Sequence, residues 1–136
     1  MEQDIIRSVI NQQAERFQIA KIAFDPWNAE KLRQELESDG FDMVEFNQGI
    51  RNFTEPMKEW LAKIVTGKLR HGNNPALRWM ASNLSAYEDA SGNVRPDKKK
   101  SADKIDGQVS GIMALALSMF EREHASVYDT RGIRQL

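Results

Sequence analysis

Two aspartates stand where apolar segments meet turns, the place from which a carboxylate reaches a ligand. Asp25 closes the run Gln18-Ile19-Ala20-Lys21-Ile22-Ala23-Phe24 and is followed by Pro26. The carboxyl ends of strands in open α/β sheets collect ligands, so Asp25 is a candidate metal ligand. An Asx turn organising the Pro26-Trp27-Asn28 corner is the alternative. Asp106 opens the last periodic apolar segment, where a carboxylate either binds a cation or complements the positive end of a helix dipole. Two such carboxylates brought together repel unless a divalent cation neutralises them. The chain has no cysteine, so metal ligands must be carboxylates or histidine.

A second chemistry is carried by cations. Lys68, Arg70, His71 and Arg78 form one basic group, and Arg95, Lys98, Lys99, Lys100 and Lys104 form another, opposed only by Asp97 and Asp103. Either group can follow a phosphate backbone, and either can be a solvated surface. His71, between Arg70 and Gly72, is a ligand or general acid on one reading and an exposed structural residue on the other. The 19 basic and 20 acidic residues leave a net charge of -1, which gives no global reason to expect nucleic acid or an anionic membrane. DNA binding must therefore come from local patches. Trp27, Trp60 and Trp79 sit among apolar neighbours and are expected in the core.

The elements that must hold these groups follow from periodicity. Ile5, Ile6, Val9, Ile10 and Phe17 form the stripe of an amphipathic helix over residues 3–17, which needs a partner surface. Residues 18–25 predict a strand, Asn28 a helix cap, residues 29–39 a helix stopped by Gly40, and residues 41–48 a second strand. That order implies a right-handed crossover between parallel strands. Thr54 is expected to cap a helix over 55–66 that ends at Gly67, and a loop then leads into a short helix. Leu84–Asp89 and Asn93–Lys98 flank Ala90-Ser91-Gly92 as a β-hairpin. Ser101 is expected to cap a long helix to about residue 123, with no clear period beyond His124. With 136 residues, 40% of them hydrophobic, the chain has the size of one soluble domain, and no apolar run is long enough to span a bilayer. The N-terminus has no signal-peptide pattern, so a cytoplasmic protein is expected.

Several strings resemble the C-terminal half of the terminase large subunits of tailed phages and prophages. They are Ile22-Ala23-Phe24-Asp25-Pro26-Trp27-Asn28-Ala29, Gln48-Gly49, Gly67-Lys68-Leu69-Arg70-His71-Gly72-Asn73-Asn74-Pro75 and Leu77-Arg78-Trp79-Met80-Ala81-Ser82-Asn83. Gly92-Asn93-Val94-Arg95-Pro96-Asp97-Lys98, Lys100-Ser101, Lys104-Ile105-Asp106-Gly107 and Ser126-Val127-Tyr128 continue the match. The resemblance implies an α/β, ribonuclease-H-like nuclease fold, here incomplete, with a parallel strand pair, flanking helices and a β-hairpin. It implies two Mg or Mn ions held by acids, mapping onto Asp25 and Asp106 as catalytic metal ligands expected within several ångströms of each other. Ions in such sites lie roughly 3.5 to 4 Å apart.

The implied function is a metal-dependent endonuclease that cuts concatemeric double-stranded DNA during genome packaging. Its family partners are the portal and the small terminase subunit, and its location is the bacterial host cytoplasm. Members of that family begin with an ATPase motor, but no G-x-x-x-x-G-K-[ST] occurs here, so no ATP site is expected. The strand carrying a further metal-binding aspartate is expected upstream of residue 1. An expressed fragment, a misannotated start and a decayed prophage gene all fit such a beginning. The expectation is therefore weak metal binding, little cleavage by the chain alone, and self-association through the open edge of the 18–25 strand. A non-catalytic prophage remnant or a DNA- or protein-binding assembly module is the rival reading.

Overall fold

The first helices and strands alternate because short β-branched and aromatic runs are punctuated by Pro, Gly and acidic turn residues. In the computed structural model, which describes residues 2–134 and their side chains as far as Arg122, the chain separates into two units, Met1–Asn47 and Gln48–Leu136. The first unit contains α1 (Glu2–Ala14), β1 (Ile22–Phe24), α2 (Glu30–Ser38) and β2 (Met43–Glu45). β1 and β2 pair in parallel with Ile22, Ala23 and Phe24 opposite Met43, Val44 and Glu45. This is the strand pair joined by a helix that the sequence predicts. Both strands are shorter than the apolar runs, since the ladder ends where Phe46 donates its N–H to Phe24 O. Leu36 and Phe46 are its buried apolar residues.

Gly40 ends α2 as expected. At φ +98° it lets Gly40 N–H bond Glu37 O and Phe41 N–H bond Leu36 O, the paired closure that satisfies the last carbonyls of a helix. The start of α2 departs from expectation. Ala29 is the N-cap, with no side-chain bond, while Asn28 takes a left-handed φ of +57° in the preceding corner. Its short polar side chain tolerates that backbone, so Asn28 turns the chain rather than capping the helix.

α1 also departs from its sequence pattern. None of its residues is buried, and Ile5, Ile6 and Val9 are exposed. Its attachment to α2 is polar: Arg7 forms a bidentate pair with Asp39 at 2.7 and 2.6 Å, and Asn11 donates to the same carboxylate at 2.9 Å. These bonds, the Arg7 one foremost, hold the Asp39 carboxyl down at about 2 against an ordinary 3.8. A carboxylate lowered in the folded state adds stability above its unfolded pKa and loses it as pH falls through the folded one. We expect the Asp39 carboxyl carbon to titrate near pH 2 by NMR, with α1 amide shifts following it and vanishing in Asp39→Asn. Titration at the ordinary carboxylate value would mean that the pair is not formed in solution.

The second unit contains α3 (Ile50–Val65), α4 (Pro75–Asn83), β3 (Ala86–Glu88), β4 (Val94–Pro96) and α5 (Asp106–Arg134). α3 packs on α5 and on β4, and α4 packs on α5. Phe53, Met57, Trp60, Ile105, Val109, Ile112 and Met113 are the core. β3 and β4 form the antiparallel hairpin that the turn residues announce, with Tyr87 opposite Arg95.

Two further caps differ from expectation. α3 starts five residues earlier than predicted, so Thr54 lies inside it, donating to Ile50 O at 2.7 Å and accepting Val94 N–H at 3.2 Å. Threonine is favoured at caps, yet its hydroxyl also bonds the preceding turn inside helices, and here that site faces the hairpin. Ser101 is likewise not a cap. It donates to Asp97 O at 2.5 Å and accepts Ser85 N–H at 3.2 Å, and α5 begins only at Asp106. Asn74 is the real cap of α4, accepting from Ala76 and Leu77 N–H ahead of Pro75. α5 runs on to Arg134, past the expected end near 123, while the side chains of the Ser126-Val127-Tyr128 string lie outside the described residues.

Candidate functional site

Asp25 directly follows β1, half-buried, in the first unit. Its Oδ1 accepts Trp27 N–H at 3.2 Å, so the Asx turn is present. The turn throws Trp27 outward to 81% exposure, which corrects its expected place in the core.

Asp106 lies in the second unit as the first residue of α5, exposed beside buried Ile105. Ile105 O accepts Val109 N–H at 3.0 Å and Lys104 O accepts the Asn83 amide at 3.2 Å, which ties the helix start to the end of α4. A recess of about 280 Å³ opens there, lined by Lys98, Ser101, Asp103, Lys104, Ile105 and Asp106. Two of the predicted phosphate-binding lysines thus share a recess with the predicted metal ligand. Behind it, Gln108 is buried and uses both ends of its amide, accepting Trp60 Nε1–H at 2.8 Å and donating to Leu77 O at 3.0 Å.

Four of the remaining basic residues line two further recesses of the second unit. Arg95, Lys98 and Lys99 line one of about 160 Å³ floored by Phe53, Pro96 and Val109. The Arg95 guanidinium also lies 4.9 Å from the Tyr87 ring centre, a cation–π contact that spends part of its charge. His71 and Arg78 line the other, about 80 Å³, with Leu77 and Gln108. His71 Nδ1 accepts Asn73 N–H at 3.2 Å, which fixes the turn. Lys68, Arg70 and Lys100 are exposed and line none of these recesses. Trp79, expected in the core, is 47% exposed, because α4 turns Leu77 and Met80 towards α5 instead.

As a donor set, hard carboxylate oxygens suit Mg or Mn. Among the described residues, however, no three His, Asp or Glu side chains gather in a way that could hold an ion. The sequence reading also missed Asp97, only 6% exposed, whose Oδ1 accepts the N–H groups of Lys99 and Lys100 at 3.0 and 3.1 Å. The signal was available: aspartate after proline and just ahead of polar turn residues is Asx-turn chemistry.

The family described as terminase large subunit, endonuclease domain, matches residues 1–122. The terminase large subunit of Enterobacteria phage HK97 is 32% identical over 101 residues, 73% of this chain and 20% of that protein. Protein YmfN of Escherichia coli strain K12 is 32% identical over 124 residues, 87% of this chain and 27% of its own length. The crystal structure of the HK97 bacteriophage large terminase superposes with a TM-score of 0.76 at 28% identity, covering 85% of this chain and 24% of that one. The chain therefore spans about a quarter of the length of these relatives. Its parallel strand pair, flanking helices and hairpin are an α/β, ribonuclease-H-like arrangement. On both sequence and fold, the chain belongs to the terminase large subunit endonuclease-domain family.

Proposed function

We propose that the chain is the nuclease part of a phage or prophage DNA-packaging enzyme, a metal-dependent endonuclease that cuts concatemeric double-stranded DNA. The observation that carries this reading is the placement of two aspartates at element ends, Asp25 after β1 and Asp106 at the start of α5, the latter in a recess rimmed by Lys98 and Lys104. Asp25 and Asp106 would be the Mg or Mn ligands. When bound, such ions activate water and stabilise the leaving oxygen of the phosphodiester. Lys98 and Lys104 attract and orient the phosphate backbone, and Lys68, Arg70, His71, Arg78, Arg95, Lys99 and Lys100 extend the basic surface along it. The reading places the protein in the host cytoplasm, acting with a portal and a small terminase subunit. No helix among the described residues is long and apolar enough to cross a membrane.

One observation favours a second reading, a non-catalytic DNA- or protein-binding module: among the described residues no group of three His, Asp or Glu side chains could hold a metal ion. A two-ion site needs several fixed oxygen ligands. The test is Mn-dependent nicking of supercoiled plasmid by the 136-residue chain and by a version extended upstream in frame. The chain alone should nick weakly and the extended version robustly. Strong nicking by the chain alone would show that its own ligands suffice, and a folded but inactive extended protein would sink the nuclease reading. Among the described strands β1 pairs with β2 alone, and self-association through strand pairing is expected, read by light scattering.

A further inference from the structure

We propose that Asp97 is a positioning residue for DNA contact, a buried carboxylate that pre-forms a one-turn lysine platform over the Asp106 recess. This rests on the DNA reading above and specifies how its lysines are held. Asp97 is held at its N–H, its carbonyl and one carboxylate oxygen. Its N–H donates to Ser85 O at 2.8 Å, its carbonyl accepts both Ser101 N–H at 3.0 Å and Ser101 Oγ, and its Oδ1 accepts Lys99 and Lys100 N–H. Ser101 Oγ in turn accepts Ser85 N–H at 3.2 Å, locking the turn to the residue just before β3.

The three lysines between Asp97 and Ser101 are all exposed. The Ser101 N–H to Asp97 O bond closes a single helical turn, so successive side chains leave it about 100° apart. They therefore serve different places. Lys98 lines both the Asp106 recess and the recess holding Arg95, while Lys99 lines only the latter. Three adjacent ammonium groups repel one another and would spread in a free loop. Holding them in one geometry before DNA arrives removes part of the ordering cost of binding. The buried carboxylate supplies that order through backbone N–H groups, without neutralising the lysines by a direct ion pair. Lys98 then stands with Lys104 at the mouth of the recess containing Asp106, in place to hold a backbone phosphate there.

The test compares Asp97→Ala, Asp97→Asn and the triple variant Lys98→Ala, Lys99→Ala, Lys100→Ala in DNA affinity across a salt series. Melting temperature and amide exchange are measured alongside. The triple variant should bind more weakly on every sequence, with its salt slope reduced by up to about 3. Asp97→Ala keeps all three charges, yet should bind about tenfold more weakly with a slope reduced by about 1, and its Lys99 and Lys100 amides should exchange faster. Asp97→Asn retains the acceptor oxygen and should restore binding to within about twofold. Wild-type binding by the triple variant would remove the DNA reading and the proposal with it. A weakened triple variant beside an Asp97→Ala protein that binds normally despite fast exchange would overturn the positioning role alone. If Asp97→Ala does not fold, Ser101→Ala loosens the same turn, with a loss of about threefold expected and unchanged binding overturning the proposal.

Discussion

Replacing Asp106 with alanine in the upstream-extended protein should lower Mn-dependent nicking about 10³-fold, the equivalent of about 4 kcal/mol in the barrier. Asp25→Ala should lose a comparable amount. Both are metal ligands in the proposed reading, and removing one weakens ion binding as well as the charge stabilisation the ion provides. The alternative role of Asp106, a carboxylate at the positive end of α5, predicts something different. That role contributes about 0.5 kcal/mol to stability, so its loss should lower the melting temperature by a few degrees and leave the nicking rate of the folded protein unchanged. The two roles therefore separate on which quantity moves. Asp106→Asn sharpens the comparison, since it keeps the size of the side chain while removing the charge that a hard cation requires.

Gly111→Ala should destabilise the second unit by about 2 kcal/mol, a fall in melting temperature of roughly 6 to 10 °C. A methyl group at Gly111 would collide with Cη2 of Trp60 and lie 3.0 and 3.1 Å from its Cζ2 and Cζ3. Trp60 cannot swing aside, being buried with its indole N–H bonded to Gln108. Alanine's better helix propensity, worth up to about 1 kcal/mol over glycine, offsets only part of the clash. Gly107→Ala is the control. Its added methyl would meet Met80 Sδ at 2.8 Å and Leu77 Cδ1 at 3.1 Å, the ends of flexible side chains that can rotate away. We expect it to stay within about 0.5 kcal/mol of the parent by thermal melting. Equal melting temperatures for the two variants would mean that α3 and α5 are not closely packed at Gly111.

The elements with strong local signals were readable in advance. Gly40 and Gly67 mark helix ends because only a left-handed backbone closes the last carbonyls there, and Ala90-Ser91-Gly92 marks the hairpin through its turn chemistry. The broad apolar face from Ile105 to Met113 announced α5, although not its continuation to Arg134. Caps were the weak point. Asn28, Thr54 and Ser101 are all of capping type, but their side chains or backbones were taken up by a left-handed corner, a helix interior and an Asx turn. Ile5, Ile6 and Val9 have helical spacing, yet spacing states only that a stripe exists and not that something covers it. Gln108 is the least legible, since its burial is decided by partners 31 and 48 residues away in sequence, Leu77 and Trp60, whereas the Asp97 carboxylate is held by the neighbouring Lys99 and Lys100 N–H groups. The sequence positions Asp25 and Asp106 at element ends, and their metal-binding role is what the family resemblance implies. Their role is a matter for the nicking assays.

The chain's three indoles differ in a way that makes it optically self-reporting. Trp27 and Trp79 are 81% and 47% exposed, whereas Trp60 is 6% exposed. A dissolved quencher such as iodide reaches the first two and leaves the third emitting, at the shorter wavelength of a dry surrounding. That residual light is keyed to helix docking, because the amide of Gln108 that holds the Trp60 N–H also holds the Leu77 carbonyl on α4. When α4 lifts away, the amide loses one partner, water gains a path to the ring, and the protected emission shifts to the red while most of the helical circular dichroism persists. Loosening around the Asp106 recess can thus be followed in unlabelled protein, without attaching a dye to the basic surface under study.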